Sequence, residues 1–209
     1  HDMNTAAWIP DEFMRRVKGE QDWYFFDPKD TTCKDGKTLH DYFGKEFDTR
    51  YSELIKLAEI GEISNWKKMP AKDLWKKMLK VLFETSHPWN TFKDPCNIRY
   101  TNQHQGLVKS SNLCTEITLH TKPSRYNEGE KIEVGETAVC NLGSVNLANH
   151  IREQINSNGD TIKDINWTSL GSTISTAIRM LDNVIDLNFY PTAESKNSNL
   201  QHRPIGLGM

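Results

Sequence analysis

The sequence has no long apolar run, little cysteine and no excess of charge of one sign. None of its apolar runs approaches the length of about 18 residues that a membrane-spanning helix needs. The formal net charge of -2 over 209 residues provides no basic field that would attract nucleic acid. No secretory signal pattern opens the chain. We therefore expect a cytoplasmic protein that binds neither membranes nor nucleic acid.

The four cysteines also exclude two common kinds of site. Cys33, Cys96, Cys114 and Cys140 form no Cys-x-x-Cys pair, so a zinc site is not predicted. A small disulfide-bonded scaffold is not expected at this length. The histidines show no ligand spacing either, and we predict no metal site in this chain. The thiols are expected to be reduced, and some of them are candidates for catalysis.

Hydrophobic residues make up 36% of the chain and charged residues 26%, which is typical of a globular protein. Apolar side chains recur at helical spacing in residues 5–18, 41–60 and 167–187, and a further helix is expected from Pro70 to before Pro88. Residues 98–119 are expected to hold short extended runs, residues 121–136 to form an exposed hairpin or loop, and residues 138–147 to be extended. Helices followed by alternating strands and helices predict an α/β fold. We expect residues 1–95 to be mainly helical and residues 96–209 to be richer in strands, within one domain.

A candidate catalytic group lies in residues 111–117, whose sequence is SNLCTEI. In an extended segment, Asn112, Cys114 and Glu116 would point to one face and present an amide, a thiol and a carboxylate together. Such a group offers a hydrogen-bonding orienter, a sulfur centre and a general base. The alternating residues Leu113 and Ile117, with Thr115, would anchor the opposite face. The spacing alone favours a half-buried edge strand with polar residues facing water, because alternation of polar and apolar residues is typical of such strands.

The heptapeptide resembles the active-site finger of the large subunits of class I ribonucleotide reductases. Further segments resemble the same family in the same order along the whole chain. They are residues 8–14 (WIPDEFM), 26–28 (FDP), Asn97, Asn102, Gln103, Gly106, 138–144 (AVCNLGS), Tyr190, Pro191, Glu194, Asn199 and 202–208 (HRPIGLG). The resemblance implies part of a ten-stranded α/β barrel with a central finger loop. It also implies that both ends of the chain are internal positions of a longer subunit.

The resemblance implies a role for each candidate residue. Cys114 is expected to become a thiyl radical that removes the hydrogen at ribose C3′, and Glu116 to be the base for the 3′-hydroxyl. Asn112, with Ser111 and Glu116, is expected to bind the substrate ribose. Cys140 is expected to be one half of the dithiol that supplies the reducing equivalents. Cys33 and Cys96 match no role in the family and are interpreted as structural.

The family resemblance also implies partners. A metal-containing small subunit would supply the radical, since no cofactor motif occurs in this chain. The substrate would be a ribonucleoside diphosphate, the reductant a thioredoxin- or glutaredoxin-type protein, and the full large subunit a homodimer. The second redox cysteine, the phosphate loop, the radical-relaying tyrosines and most of the sites for ATP and deoxynucleotide effectors would lie outside these residues.

Other interpretations remain open at this stage. Cys140 in an apolar strand would by default be an inert core thiol. The chain would also fit one part of a split subunit, a non-catalytic module derived from a reductase, or a different radical enzyme on a similar barrel. The combination of Asn112, Cys114, Glu116 and Cys140 argues against a non-catalytic module, which would not need these four groups.

Overall fold

A computed structural model describes residues 3–32 and 36–209 of the chain. Cys33, interpreted above as structural, lies outside the described residues. The chain divides into two compact units, His1–His120 and Thr121–Met209, and each is described by itself. The division at residue 95, predicted from the change in helix and strand content, stays a prediction. Among the described residues, no helix combines the length and apolar character of a membrane-spanning segment.

The first unit alternates short strands with helices. Its elements are β1 (Ala6–Ile9), α1 (Asp11–Lys18), β2 (Asp22–Phe26), a 3-10 turn (Leu39–Asp41), α2 (Gly44–Glu59), β3 (Trp66–Pro70), α3 (Ala71–Thr85), β4 (Trp89–Phe92) and α4 (Lys93–Arg99). Strands β1 and β4 pair in parallel, whereas β2 and β3 pair antiparallel. A parallel pair requires a crossover connection, and here the chain between β1 and β4 supplies it with three helices.

Aromatic rings fill much of the core of this unit. The ring of Tyr51 on α2 stacks on Trp23 of β2 at 4.4 Å between centroids and on Phe47 at 5.7 Å. The Tyr51 hydroxyl donates to the carbonyl oxygen of Tyr24 at 3.0 Å and accepts from the backbone nitrogen of Tyr24 at 2.7 Å. Tyr51 is 1% exposed. Its hydrogen bonds therefore fix α2 against β2 at a place where water cannot replace them.

Helix α4 carries a buried carboxylate that joins two other helices. Asp94 is 1% exposed and accepts from the backbone nitrogen of Asp11 at 2.5 Å and of Gly44 at 2.7 Å. These two residues begin α1 and α2. The first amides of a helix lack partners within the helix, and a negative charge there also interacts favourably with the helix dipole. Asp94 therefore holds the amino ends of both helices on α4.

Lys93, the neighbour of Asp94, is a buried amine that is 3% exposed. Its Nζ donates to the carbonyl oxygens of Leu39 at 2.9 Å and of His40 at 3.4 Å, and it lies 5.0 Å from the ring centroid of Phe47. Burial disfavours the ammonium form and lowers the pKa of Lys93 from 10.5 to about 8, although Asp94 and Asp41 oppose this effect.

The free energy of unfolding is therefore expected to depend on the charge of Lys93. The unfolded chain holds the lysine proton more tightly than the folded protein, so stability rises with pH between about 8 and 10.5. Below about pH 8, the buried charge of Lys93 lowers the free energy of unfolding by its full cost of roughly 3 kcal/mol. Thermal unfolding of the wild type and of Lys93→Met across this pH range checks the expectation. The stability of the wild type should rise relative to the variant, and parallel curves would contradict it.

The second unit contains a parallel strand pair and two antiparallel hairpins. Its elements are β5 (Arg125–Asn127), β6 (Glu130–Glu133), β7 (Asn141–Ser144), a 3-10 turn (Leu147–His150), β8 (Ile151–Ile155), β9 (Thr161–Ile165), α5 (Trp167–Leu187), α6 (Ala193–His202) and β10 (Ile205–Gly208). Strand β7 pairs in parallel with β10, β5 pairs antiparallel with β6, and β8 pairs antiparallel with β9. The mixed α/β class predicted from the sequence is confirmed.

Two groups of hydrogen bonds connect the elements of the second unit. Arg203, just after α6, donates to the carboxylates of Asp182 and Asp186 on α5 at 2.7–3.0 Å. At the base of the β5–β6 hairpin, Lys122 and Glu136 exchange backbone hydrogen bonds at 2.7 and 2.9 Å. The adjacent Gly135 has no room for a side chain, because a Cβ atom there would lie 2.2 Å from the carbonyl oxygen of Lys122.

Several predicted elements agree with the structure and two do not. Helices α2, α3 and α5 and the hairpin in residues 121–136 are confirmed. The prediction of a helix over residues 5–18 is wrong for its first half, since residues 6–9 form β1 and pair with β4. The short extended runs predicted within residues 98–119 form no strand either. The chain leaves α4 at Arg99, makes turns over residues 101–105 and forms no strand up to residue 120.

Candidate active site

The predicted catalytic residues Cys114 and Glu116 lie on an irregular loop, residues 107–119, called the finger loop below. Its tip is a turn in which the backbone nitrogen of Thr115 donates to the carbonyl oxygen of Asn112 at 3.1 Å. Thr115 has φ of 63°, an unfavourable conformation for a β-branched residue. Cys114 and Glu116 flank this residue and are both exposed. The loop therefore presents a thiol and a carboxylate on a tight turn.

Two polar side chains close the turn from inside the loop. The Ser111 hydroxyl donates to the carbonyl oxygen of Ile117 at 2.6 Å, and Asn112 Oδ1 accepts from the backbone nitrogen of Ile117 at 3.0 Å. Ser111 Oγ also lies 3.4 Å from Asn112 Oδ1. These bonds bridge residues five and six apart, so Ser111 and Asn112 hold the Cys114–Glu116 segment as one closed loop.

This geometry corrects the predicted extended conformation. Asn112, Cys114 and Glu116 do not alternate along a strand, and Leu113, expected to help anchor the opposite face, is 57% exposed. The physical reason is local. The side chains of Ser111 and Asn112 offer the backbone of Ile117 hydrogen bonds that compete with strand pairing. Cys114 and Glu116 are nevertheless exposed together, which is what the predicted chemistry requires.

The predicted roles of Asn112 and Ser111 in binding substrate stay predictions, but the structure limits what Asn112 can do. Its Oδ1 is occupied within the loop by Ile117 and Ser111. Among the described residues, Asn112 Nδ2 meets no hydrogen-bond acceptor. An amide nitrogen is a donor, so Asn112 could offer a hydrogen bond to a substrate hydroxyl while its oxygen keeps the loop closed.

The two ends of the finger loop are held by residues for which the sequence predicted no role. Asn97 on α4 bonds both backbone groups of Val108, and Lys109 forms an ion pair with Asp41. At the other end, the hydroxyl of Tyr100 lies 2.8 Å from His120 Nδ1. The sequence signals for α4 are weak: Pro95 is tolerated in the first turn of a helix, Asp94 lies in that turn and Arg99 in the last.

Cys140, the second predicted redox residue, lies directly before β7 in the second unit and is half-buried. Its neighbour Asn141 donates to Asn199 Oδ1 at 2.6 Å and to the carbonyl oxygen of Pro204 at 2.8 Å. Asn199 is completely buried and donates in turn to the hydroxyl of Tyr190 at 2.6 Å. This chain of hydrogen bonds fixes the start of β7 and thereby the backbone next to Cys140.

Two acidic residues of the second unit support the hairpin and α6. Glu136 lies 2.6 Å from His202 Nε2. Glu194, in the first turn of α6, accepts from the hydroxyl of Ser124 at 2.6 Å and pairs with Lys131. The hydrogen bonds with Lys131 and Ser124 lower the pKa of Glu194 to about 2. Glu194 and His202 are thus engaged in contacts that tie α6 to the segment before β7.

Comparison with known proteins identifies the family to which the chain is similar. The profile of the family described as "Ribonucleotide reductase, barrel domain" matches residues 1–209. The chain is 49% identical over 209 residues to the ribonucleoside-diphosphate reductase subunit alpha of Chlamydia muridarum, covering all of this chain and 18% of that protein. It is 37% identical to subunit alpha of Helicobacter pylori and 33% identical to the large subunit of Arabidopsis thaliana, covering 29% and 24% of those proteins.

The chain thus spans less than a third of the length of the relatives it matches. The family profile covers the range that holds the finger loop, Cys140 and β10. The family match extends over every described element of both units. The chain belongs to the barrel-domain family of ribonucleotide reductases.

Proposed function

We propose that this chain forms the part of a class I ribonucleotide reductase large subunit that carries the radical thiol, and that the complete subunit reduces ribonucleoside diphosphates to deoxyribonucleotides. The observation that carries the proposal is the finger loop. Cys114 and Glu116 are exposed on one turn, and side-chain hydrogen bonds hold that turn closed. A thiol and a carboxylate on one rigid turn can act on adjacent atoms of one sugar ring.

The reaction begins at Cys114. Its thiyl radical takes the hydrogen atom from ribose C3′ and becomes a thiol, which leaves a carbon radical at C3′. Glu116 accepts the proton of the 3′-hydroxyl, and the 2′-hydroxyl leaves as water after taking a proton from a thiol of the redox pair. Removal of the 3′-proton helps the C3′ radical to expel its neighbour, which is the role expected of a general base.

The redox pair supplies two electrons and two protons in each turnover. Cys140 is one of its thiols, and the second lies in a part of the subunit outside this chain. The pair ends as a disulfide, C2′ gains hydrogen, Glu116 returns its proton to the 3′-oxygen, and the Cys114 thiol returns its hydrogen atom to C3′ to regenerate the thiyl radical. The sum is ribonucleotide plus dithiol to deoxyribonucleotide, water and disulfide. A thioredoxin- or glutaredoxin-type protein reduces the disulfide before the next turnover.

The proposal also includes the partners of the complete subunit. A small subunit that contains metal generates the radical, and the large subunit forms a homodimer in the cytoplasm that is regulated by ATP and deoxynucleotides bound mainly outside these residues. Cys114 is exposed in the described residues. Shielding of the radical from water therefore depends on other parts of the enzyme or on bound substrate.

Glu116→Gln tests the proposed base. The amide keeps the size of the side chain but cannot accept the 3′-hydroxyl proton, so turnover of the complete subunit with its small subunit should fall about 10²–10⁴-fold. Binding of the ribonucleoside diphosphate should change little, as measured by equilibrium dialysis. Glu130→Gln, the same change at an exposed position of β6, serves as the control. A Glu116→Gln subunit with the wild-type rate would remove Glu116 from the mechanism.

A further inference from the structure

Both ends of the finger loop are held by the same short segment of the chain, α4 and the residue that follows it. Asn97 contacts Val108 at the start of the loop, and Tyr100 contacts His120 at its end. All four residues are at most 8% exposed. The loop is therefore fixed at both ends by hydrogen bonds that water does not reach.

The contact at the first end uses both polar atoms of the Asn97 amide and both backbone polar groups of Val108. Asn97 Nδ2 donates to the carbonyl oxygen of Val108 at 3.0 Å, and Asn97 Oδ1 accepts from the backbone nitrogen of Val108 at 2.9 Å. The amide thus pairs with Val108 as a neighbouring strand would. Asn97 is 1% exposed and Val108 is 0% exposed. Loss of the amide would leave a buried donor and a buried acceptor on Val108 without partners.

The contact at the second end closes the loop. The hydroxyl of Tyr100 lies 2.8 Å from Nδ1 of His120. The His120 ring packs against Gly106, where an added Cβ atom would lie 3.2 Å from the ring. Residues 106 and 120 therefore meet, and the segment between them is a compact loop with adjacent ends. The position of its tip depends on both anchors.

We propose that Asn97 is a positioning residue of the active site, and that with Tyr100 it sets the position of Cys114 relative to ribose C3′. The inference rests on the function proposed above. Cys114 lies six residues beyond Val108 and six residues before His120. A displacement at either anchor therefore moves the thiol together with Glu116, because Ser111 and Asn112 hold the tip as one closed turn.

Hydrogen transfer is sensitive to such a displacement. A shift of about 1 Å at reacting groups can lower a rate about a hundredfold. A less well placed Cys114 slows the removal of the C3′ hydrogen but leaves other steps unchanged. The C–H cleavage step then limits turnover more strongly, and replacement of that hydrogen by deuterium has a larger effect on kcat. If a variant only lowered the fraction of folded protein, kcat would fall but the isotope effect on kcat would stay the same.

The test compares Asn97→Leu and Tyr100→Phe in the complete large subunit, assayed with its small subunit on protonated and 3′-deuterated ribonucleoside diphosphate. Asn97→Leu should lower kcat about tenfold to a hundredfold and raise the isotope effect on kcat. Tyr100→Phe keeps the ring and removes only the hydroxyl. It should lower kcat roughly threefold to tenfold with a rise in the same isotope effect, and it provides the test if Asn97→Leu does not fold.

Asp94→Asn is the matched control, since Asp94 is equally buried on the same helix but bonds α1 and α2 rather than the finger loop. It should lower stability and leave the isotope effect at the wild-type value. If the anchor variants also keep the wild-type isotope effect or the wild-type kcat, the inference is overturned. Cys114→Ser in the same assay separates the two proposals, because full activity of that variant would overturn the proposed function itself.

Discussion

Replacing Cys114 by serine is expected to abolish deoxynucleotide formation by the complete subunit while leaving its folding unchanged. A serine O–H bond is stronger than a thiol S–H bond, so the hydroxyl does not become the radical that removes the C3′ hydrogen. The substitution removes little volume from an exposed side chain. The bonds that close the turn come from Ser111 and Asn112 and are retained. Chromatographic assay of the product and thermal unfolding together check both parts.

Cys96→Ser is the control for this experiment. Cys96 lies on α4 and is half-buried, and burial raises the pKa of its thiol. A thiol that stays protonated is a poor redox group, which agrees with the structural role inferred for Cys96. The Cys96→Ser subunit should therefore retain turnover. Normal turnover of Cys114→Ser would contradict the central assignment of the proposed mechanism.

Cys140→Ser should also stop sustained product formation, but at a later step. In the proposed mechanism the variant lacks one thiol of the redox pair, so the substrate radical cannot receive its two electrons. Removal of the C3′ hydrogen by Cys114 still occurs. That hydrogen then resides on a thiol that exchanges with water. With 3′-tritiated substrate, Cys140→Ser should release tritium without forming deoxynucleotide.

The comparison between the two cysteine variants makes the assignment specific. Cys114→Ser should release no tritium, because the hydrogen is never removed. The fold near residue 140 should survive the substitution, since the hydrogen bonds at the start of β7 involve Asn141 and Asn199 rather than the thiol. Continued deoxynucleotide production by Cys140→Ser, with a thioredoxin-type reductant present, would be incompatible with a redox role for this cysteine.

Local sequence pattern predicted the elements whose stability depends on local interactions. The apolar repeat of Leu170, Ile174, Ile178, Leu181 and Ile185 predicted α5 with its observed bounds, Trp167–Leu187. The same criterion failed at Trp8 and Ile9. Their spacing from Phe13 fits one helical face, yet they belong to β1 and pair with residues about 80 positions later. The spacing of apolar residues within a short segment cannot show that the segment pairs with a strand so far away in the sequence.

The sequence predicted that Cys114 and Glu116 would be exposed together, but it did not predict the conformation of the loop that carries them. The heptapeptide around Cys114 identified the thiol and the carboxylate by their chemical types and by the family resemblance. Its alternation of polar and apolar residues indicated a strand. The prediction failed because the alternation does not show which backbone groups the polar side chains bond. The contacts of Ser111 and Asn112 with Ile117 decide the conformation. Likewise, nothing near Asn97 indicates its contact with Val108.

The seven residues of α4 have a consequence for how this protein can evolve. Lys93, Asp94 and Asn97 bond backbone groups of four separate segments: the 3-10 turn, the starts of α1 and α2, and the base of the finger loop. Every residue has the same backbone groups, so a substitution in one of these four segments leaves the backbone groups that Lys93, Asp94 and Asn97 bond. Mutational effects within one such network are not additive. Accepted changes at these three positions should therefore be interdependent, and a substitution tolerated in one relative should fail when transferred alone to another.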